Sequence, residues 1–259
     1  MASFMAKPGA FPWTYASPER SPYDPEVYNS LPNLLVAYGQ LADLGAMTAT
    51  IPAALGPIRD LFLKHKVCND VGIALLHNHF RIRPTERLVD FRNISAPWDV
   101  GNDTDAVVSK YGRLILPRSF RLFRGAFMPY EFEFSDETSP RQMNVTREFL
   151  NELSTLLYQS RLDQIVGLRL LDRYDSELTV EVTEGNMNIM LPRGTIPDTQ
   201  LIPALWVFGE DERNNRCPVV CSVDAGGSHV KTRHVNDKPD DAAQAIILNV
   251  PCLAQIQLL

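Results

Sequence analysis

The fold class is decided by the segment Leu178-Thr-Val-Glu-Val-Thr-Glu-Gly-Asn-Met-Asn-Ile-Met-Leu191. Its apolar residues alternate with polar ones before the turn, and a period of two is typical of a β-strand. A two-residue turn at Glu184-Gly185 predicts a hairpin in which Val182 faces Met187 and Val180 faces Ile189. The segment therefore indicates an antiparallel sheet.

A second hairpin is predicted at residues 119–134. Pairing Phe120 with Phe134 and Leu122 with Phe132 places the apolar side chains on one face, with residues 125–129 as the loop. Other apolar runs that predict strands lie at residues 166–171, 204–208, 245–250 and 256–259.

Three segments show helical spacing of their apolar residues. They are residues 34–45, a segment that begins at Gly56-Pro57, and residues 146–161, where Phe149 and Leu153 lie on one stripe. The hairpins show no regular βαβ alternation. We therefore predict an α+β fold, a mostly antiparallel sheet of hairpins with three or so packing helices.

The first 32 residues differ in composition from the rest. Six prolines between Pro8 and Pro32 are interleaved with large aromatic residues, which excludes a helix and favours an extended arm that docks. The arm is predicted to bind its own domain or a partner subunit. Binding to a partner subunit would give a homo-oligomer. Residues 33–259 are predicted to form a single α+β domain.

Composition restricts the class of partner. The chain has 259 residues, 45% of them hydrophobic, which is enough for a core without disulfides. Its net charge of −6 provides no global positive field, so we expect neither nucleic acid nor a membrane as a partner. The N-terminus lacks the pattern of a secretory signal and no apolar run spans a bilayer, which predicts a cytoplasmic protein with reduced cysteines.

The first candidate site is a histidine–glutamate cluster. His77 and His79 are expected on one strand, two residues apart and on the same face, with Glu86 just past a turn at Pro84. This set can ligate a metal or act as acid and base, and the alternative is that both imidazoles are ordinary strand residues. The candidates for an apolar wall of its pocket are Trp98, Phe123 and Phe127.

The second candidate site is a cysteine–histidine cluster near the C-terminus. Cys217, Cys221, His229 and His234 provide two thiols and two imidazoles, the donors of a structural zinc site. On a continuous strand the two cysteines would be too far apart to share one ion, so this site requires a bend. Two alternatives remain: buried thiols with exposed histidines, or a mixed site that joins these cysteines to His77 or His79.

Two resemblances accompany these clusters. Gly72, His77-Asn-His79 and Glu86 resemble the first metal motif of the cupin family, and Gly227-Ser228-His229 is the nearest match to the histidine of its second motif. This resemblance implies a metal held by the histidines and the glutamate. The phrases Leu75-Leu-His-Asn-His-Phe80 and Glu181-Val-Thr-Glu-Gly185, with the Cys/His cluster, resemble an uncharacterised group of proteins from filamentous fungi, which implies no reaction.

Two functional hypotheses follow. The first is a cytosolic enzyme for a small-molecule substrate, with His77, His79 and Glu86 as metal ligands or acid–base groups and zinc or another divalent metal as cofactor. The alternative is a noncatalytic binding or assembly module whose Cys/His cluster holds a structural zinc.

Overall fold

A computed structural model of the chain describes residues 24–45, 51–99, 115–134, 145–171, 178–196 and 201–223. The β-strands in these residues are β1 Val71–Leu75, β2 Glu86–Phe91, β3 Ile94–Asp99, β4 Ile115–Phe123, β5 Ala126–Phe134, β6 Val166–Leu170, β7 Thr179–Glu184, β8 Met187–Pro192, β9 Leu201–Val207 and β10 Arg216–Ser222. The α-helices are α1 Glu26–Asn29, α2 Leu34–Asp43, α3 Gly56–His65 and α4 Arg147–Gln159.

The ten strands close into one barrel. Their order around it is β1, β6, β4, β5, β2, β3, β8, β7, β10 and β9, and β9 then pairs with β1. Most neighbours are antiparallel, whereas β2 with β5 and β7 with β10 are parallel. Both parallel pairs join strands that are far apart in the sequence.

The predicted α+β fold is therefore wrong, because the chain forms a closed, mixed β-barrel with few helices. The alternation of apolar and polar residues in β7 does not separate a buried face from a solvated one, because both faces are buried. Val180 and Val182 pack in an apolar cluster, and Glu181 and Thr183 on the other face are also shielded from solvent. A strand shows the same alternation of apolar and polar residues in its sequence whether its polar face is buried or exposed to solvent.

Both predicted hairpins exist, with different registers. In β7–β8 the turn is Gly185-Asn186 and Val182 pairs with Ile189, a shift of two positions that keeps every side chain on its predicted face. In β4–β5 the predicted pairing of Phe120 with Phe134 is wrong, because Phe120 pairs with Pro129. The long predicted loop is replaced by a tight turn at Arg124 and Gly125, both of which have positive φ.

The three predicted helices are present. The Asn33 side chain caps α2 by accepting a hydrogen bond from the Val36 amide, and Thr146 caps α4 in the same way. α3 and α4 pack together on the barrel, where the ring of Phe62 meets that of Phe149 edge-on at 5.3 Å. Within the described residues, none of the helices is both long and apolar enough to cross a bilayer.

Several predictions for the ends of the chain fall on residues that the structure leaves undescribed. They are the first part of the arm, residues 1–23, and the strands at residues 245–250 and 256–259. The remainder of the predicted arm contains α1, so the expectation that the arm excludes a helix is wrong for residues 26–29. Val27 and Tyr28 of α1 are fully buried.

Close packing at Gly167 in β6 joins the barrel wall to the segment that follows β1. A Cβ atom at Gly167 would overlap the backbone oxygen of Phe120 and would lie 2.8 Å from Cδ2 of Leu76. Only glycine allows β4 and Leu76 to approach β6 this closely. Leu76 directly precedes His77, so this contact also helps to position the histidines.

We expect Gly167→Ala to lower the free energy of unfolding by about 2 kcal/mol or more, since overpacking a core costs about 1–3 kcal/mol. Gly39→Ala is the matched control, because Gly39 lies exposed in α2 with no atom within 4 Å of the added methyl group. The control is expected to leave stability unchanged or to raise it by up to about 1 kcal/mol. Urea unfolding measures both, and a Gly167→Ala protein as stable as wild type would contradict the packing described.

Candidate metal centre

Residues 76–85, which link β1 to β2, carry the two histidines. The sequence predicted that His77 and His79 lie on a strand. That prediction is wrong, because β1 ends at Leu75 and both histidines lie in this irregular segment. Their rings nevertheless lie close together, with centroids 4.6 Å apart and planes at 60°. The segment, and not a strand face, brings the imidazoles together.

Hydrogen bonds from residues 28–33 hold this segment in place. The Tyr28 hydroxyl accepts a hydrogen bond from the His79 amide at 3.3 Å. The Asn78 amide donates to Pro32 O at 2.9 Å, and the Asn29 side chain both donates to and accepts from the backbone of Ile82. The position of the histidines thus depends on the chain just before α2.

Glu181 of β7 completes the group. One ligand atom each from His77, His79 and Glu181 lies within 4.8 Å of the others, close enough to hold a metal ion. Nε2 of His79 is 3.4 Å from Oε1 of Glu181. Two atoms bound about 2.1 Å from one ion at a tetrahedral angle lie roughly 3.4 Å apart, so this distance is that of two ligands of one ion.

The hydrogen bonds of the imidazoles assign their tautomers. Nδ1 of His77 lies 2.8 Å from Leu75 O, and because a carbonyl only accepts, Nδ1 carries the proton and Nε2 the lone pair. Nδ1 of His79 lies 2.9 Å from Oγ1 of Thr183, whose hydroxyl donates to Oδ1 of Asn188 at 3.1 Å. Thr183 therefore accepts from His79, and the lone pair of His79 is also on Nε2, directed at Glu181.

Burial determines the charges of the group. It lowers the pKa of His77 to about 4, so this imidazole is neutral at pH 7 and in the form that binds metals. It also raises the pKa of Glu181 to about 7, against the hydrogen bond that Glu181 accepts from Cys221. Both shifts arise because a charge is poorly solvated here.

An ion-pair network of partly buried side chains lies near Glu181. Arg169 pairs with Glu131 at 3.2 Å and with Asp90 at 3.5 Å, and Arg118 pairs with Asp90 at 2.7 Å. The charges of Glu131 and Asp90 raise the pKa of Glu181, while that of Arg169 lowers it. The network joins two arginines to two carboxylates, so its formal charges balance.

The third residue of the predicted histidine cluster lies elsewhere. Glu86 begins β2, and its carboxylate accepts hydrogen bonds from the amide and guanidinium of Arg83. It is not part of the group that His77 and His79 form with Glu181. The three predicted wall residues, Trp98, Phe123 and Phe127, lie in three different apolar clusters.

The predicted cysteine cluster is only partly described, since His229 and His234 lie outside the described residues. Cys217 and Cys221 both lie on β10, and the Cys217 thiol donates to Val219 O at 3.2 Å. The Cys221 thiol donates to Oε2 of Glu181 at 3.1 Å and lies 3.5 Å from Nε2 of His77. Cys221 thus meets the histidine group, as in the mixed arrangement that the sequence left open.

The sequence did not single out Glu181. It alternates with Val180 and Val182 in the same way as its polar neighbours Thr179 and Thr183, so the pattern gave it no separate role. The available signal was the polar pair Thr183 and Asn188 across the hairpin, which supports a buried polar face as well as an exposed one.

Comparison with protein families, curated proteins and solved structures finds no match to this chain.

The tautomers are directly testable in metal-free protein. We expect 15N NMR to show both His77 and His79 as Nδ1–H imidazoles. Thr183→Val removes the acceptor for His79 and should convert that ring to the Nε2–H form, which donates to Glu181. Thr179→Val, on the same strand but bonded to Pro218 O, is the matched control and should leave both rings unchanged. An Nε2–H form of His79 in the unmutated protein would contradict the assignment.

Proposed function

We propose that the protein is a metal-dependent enzyme that acts on a small molecule, with a divalent ion held by His77, His79 and Glu181. The proposal is supported by two imidazoles and one carboxylate that each place a ligand atom within 4.8 Å of the others. In each imidazole the other nitrogen is engaged by a hydrogen bond. Metal-binding histidines have this arrangement, in which the second nitrogen fixes the tautomer and the ring orientation.

For His77, a metal role is better supported than acid–base catalysis. A general acid or base works best with a pKa near the working pH. His77, with a pKa of about 4, is neutral throughout the physiological range. It is therefore suited to donate its lone pair to an ion and poorly suited to exchange protons.

The donor set indicates the type of metal and its chemistry. Two imidazoles and one carboxylate form the protein part of catalytic zinc sites and also of non-haem iron sites. Three protein ligands leave a position at which the ion can polarise an oxygen of substrate or water. We propose zinc as the resident ion.

The burial of the ligands limits the size of the substrate. The side chains of His79 and Glu181 are 2% and 9% exposed, so a macromolecule has no direct contact with them. The ion-pair network of Arg169, Glu131 and Asp90 extends the polar surroundings beyond the ligands. A purely structural ion does not require these additional buried charges, each of which is costly to desolvate.

The same burial favours a second candidate, a noncatalytic module in which the ion is structural. A structural ion contributes directly to folding, so its removal should lower the melting temperature by tens of degrees, as for domains that unfold without metal. Removal of an ion that serves catalysis should leave the barrel folded, although less stable. Thermal unfolding before and after chelation separates the two.

We expect purified protein to contain one divalent ion per chain. Each of His77→Ala, His79→Ala and Glu181→Gln should weaken zinc binding by about 100-fold or more, because each removes one of three ligands. Glu86→Gln is the matched control, since it neutralises a buried carboxylate outside the group, and it should bind zinc like the wild type. Elemental analysis and calorimetric titration of metal-depleted protein measure stoichiometry and affinity.

Two results would overturn the proposal. One is the absence of stoichiometric metal from folded wild-type protein together with no binding of added zinc. The other is full zinc affinity in a folded Glu181→Gln protein. Far-UV circular dichroism establishes that each variant is folded.

A further inference from the structure

We propose that Cys221 is a fourth protein ligand of this centre, so that its thiolate occupies the position that His77, His79 and Glu181 leave open. This inference rests on the proposed function, because it requires that an ion binds there. It makes the resting centre four-coordinate, so that an oxygen of substrate or water would bind as a fifth ligand.

The Cys221 thiol contacts two of the three ligands, His77 and Glu181, whereas His79 lies farther from it. The Cys221 sulfur lies 3.5 Å from Nε2 of His77 and 3.1 Å from Oε2 of Glu181. A nitrogen and a sulfur bound to one tetrahedral zinc, at about 2.05 and 2.3 Å, lie about 3.6 Å apart. The sulfur therefore already lies at the distance from His77 that a shared ion would impose.

The sheet itself places this sulfur beside Glu181. β10 and β7 are parallel neighbours, and Cys221 is the register partner of Glu181. Paired residues of adjacent strands project from the same face, so the pairing of β10 with β7 makes the thiol and the carboxylate neighbours. Cys221 is also fully buried, which removes competing water from the sulfur.

Binding of the ion displaces one proton from the Cys221 thiol to water as the metal–sulfur bond forms. No electron is transferred. The hydrogen bond that the thiol now donates to Glu181 is lost with that proton, which makes Oε2 available to the ion. Because thiolate is a soft ligand, the complete set selects zinc or cobalt over magnesium or calcium.

Cys217 provides a matched control on the same strand. Its thiol is half-buried and donates to a backbone carbonyl, that of Val219. Replacing either cysteine with serine makes the same chemical change four residues apart on β10. Only Cys221→Ser removes a sulfur that contacts His77 and Glu181.

Cobalt(II) spectroscopy tests the proposal. Cobalt-loaded wild-type protein should show a sulfur-to-cobalt charge-transfer band in the near ultraviolet together with the visible bands of a four-coordinate ion. Cys221→Ser should lose the charge-transfer band and retain bound cobalt, whereas Cys217→Ser should keep both. Azide should perturb the visible bands of Cys221→Ser, in which the fourth position lacks the thiolate, and should change those of the wild type less, because there it must add as a fifth ligand.

Cobalt bound to the wild type without a charge-transfer band would overturn this inference and leave the three-ligand centre standing. That result needs no variant, so it holds even if Cys221→Ser fails to fold. Loss of the band in Cys217→Ser as well, with its retention in His77→Ala, would also overturn it and would instead support the predicted site of Cys217, Cys221, His229 and His234. Failure of cobalt to bind at all would overturn the proposed function together with this inference.

Discussion

The burial of Glu181 among the side chains of His77, His79 and Cys221 is the constraint on which the rest of the site depends. Removing a carboxylate from water costs several kcal/mol unless protons, hydrogen bonds or a cation compensate. Without metal, two effects offset part of that cost. Glu181 is partly protonated at pH 7, because its pKa is about 7, and its carboxylate accepts a hydrogen bond from Cys221. A divalent ion would meet it more fully, because it replaces a lone-pair contact of 3.4 Å with two metal–ligand bonds.

Three separate parts of the chain must come together to form this arrangement. β7 carries Glu181, β10 carries Cys221 as its parallel neighbour, and the segment after β1 carries the histidines. Tyr28 holds that segment by accepting a hydrogen bond from the His79 amide. Gly167 leaves room for the side chain of Leu76 in the same segment. The site is thus a property of the closed barrel and of the short helix α1, rather than of one local motif.

Local patterns predicted more of the secondary structure than of the fold. The spacing of Phe149 and Leu153 located α4, and alternation located the β7–β8 hairpin to within a two-residue register shift. Closure was not predictable, because the parallel pairs β2–β5 and β7–β10 depend on contacts between distant segments. For the same reason His77 and His79 were found as a pair, whereas their partner Glu181, about a hundred residues farther along the chain, was not.

Binding of one ion between His77, His79 and Glu181 is tested most directly by anomalous diffraction from crystals of zinc-loaded protein, measured on both sides of the zinc absorption edge. We expect one strong peak per chain within about 2.0–2.2 Å of Nε2 of both histidines and of a Glu181 oxygen. A peak bound only by other residues, or no peak between these three side chains in zinc-loaded crystals, would contradict this expectation.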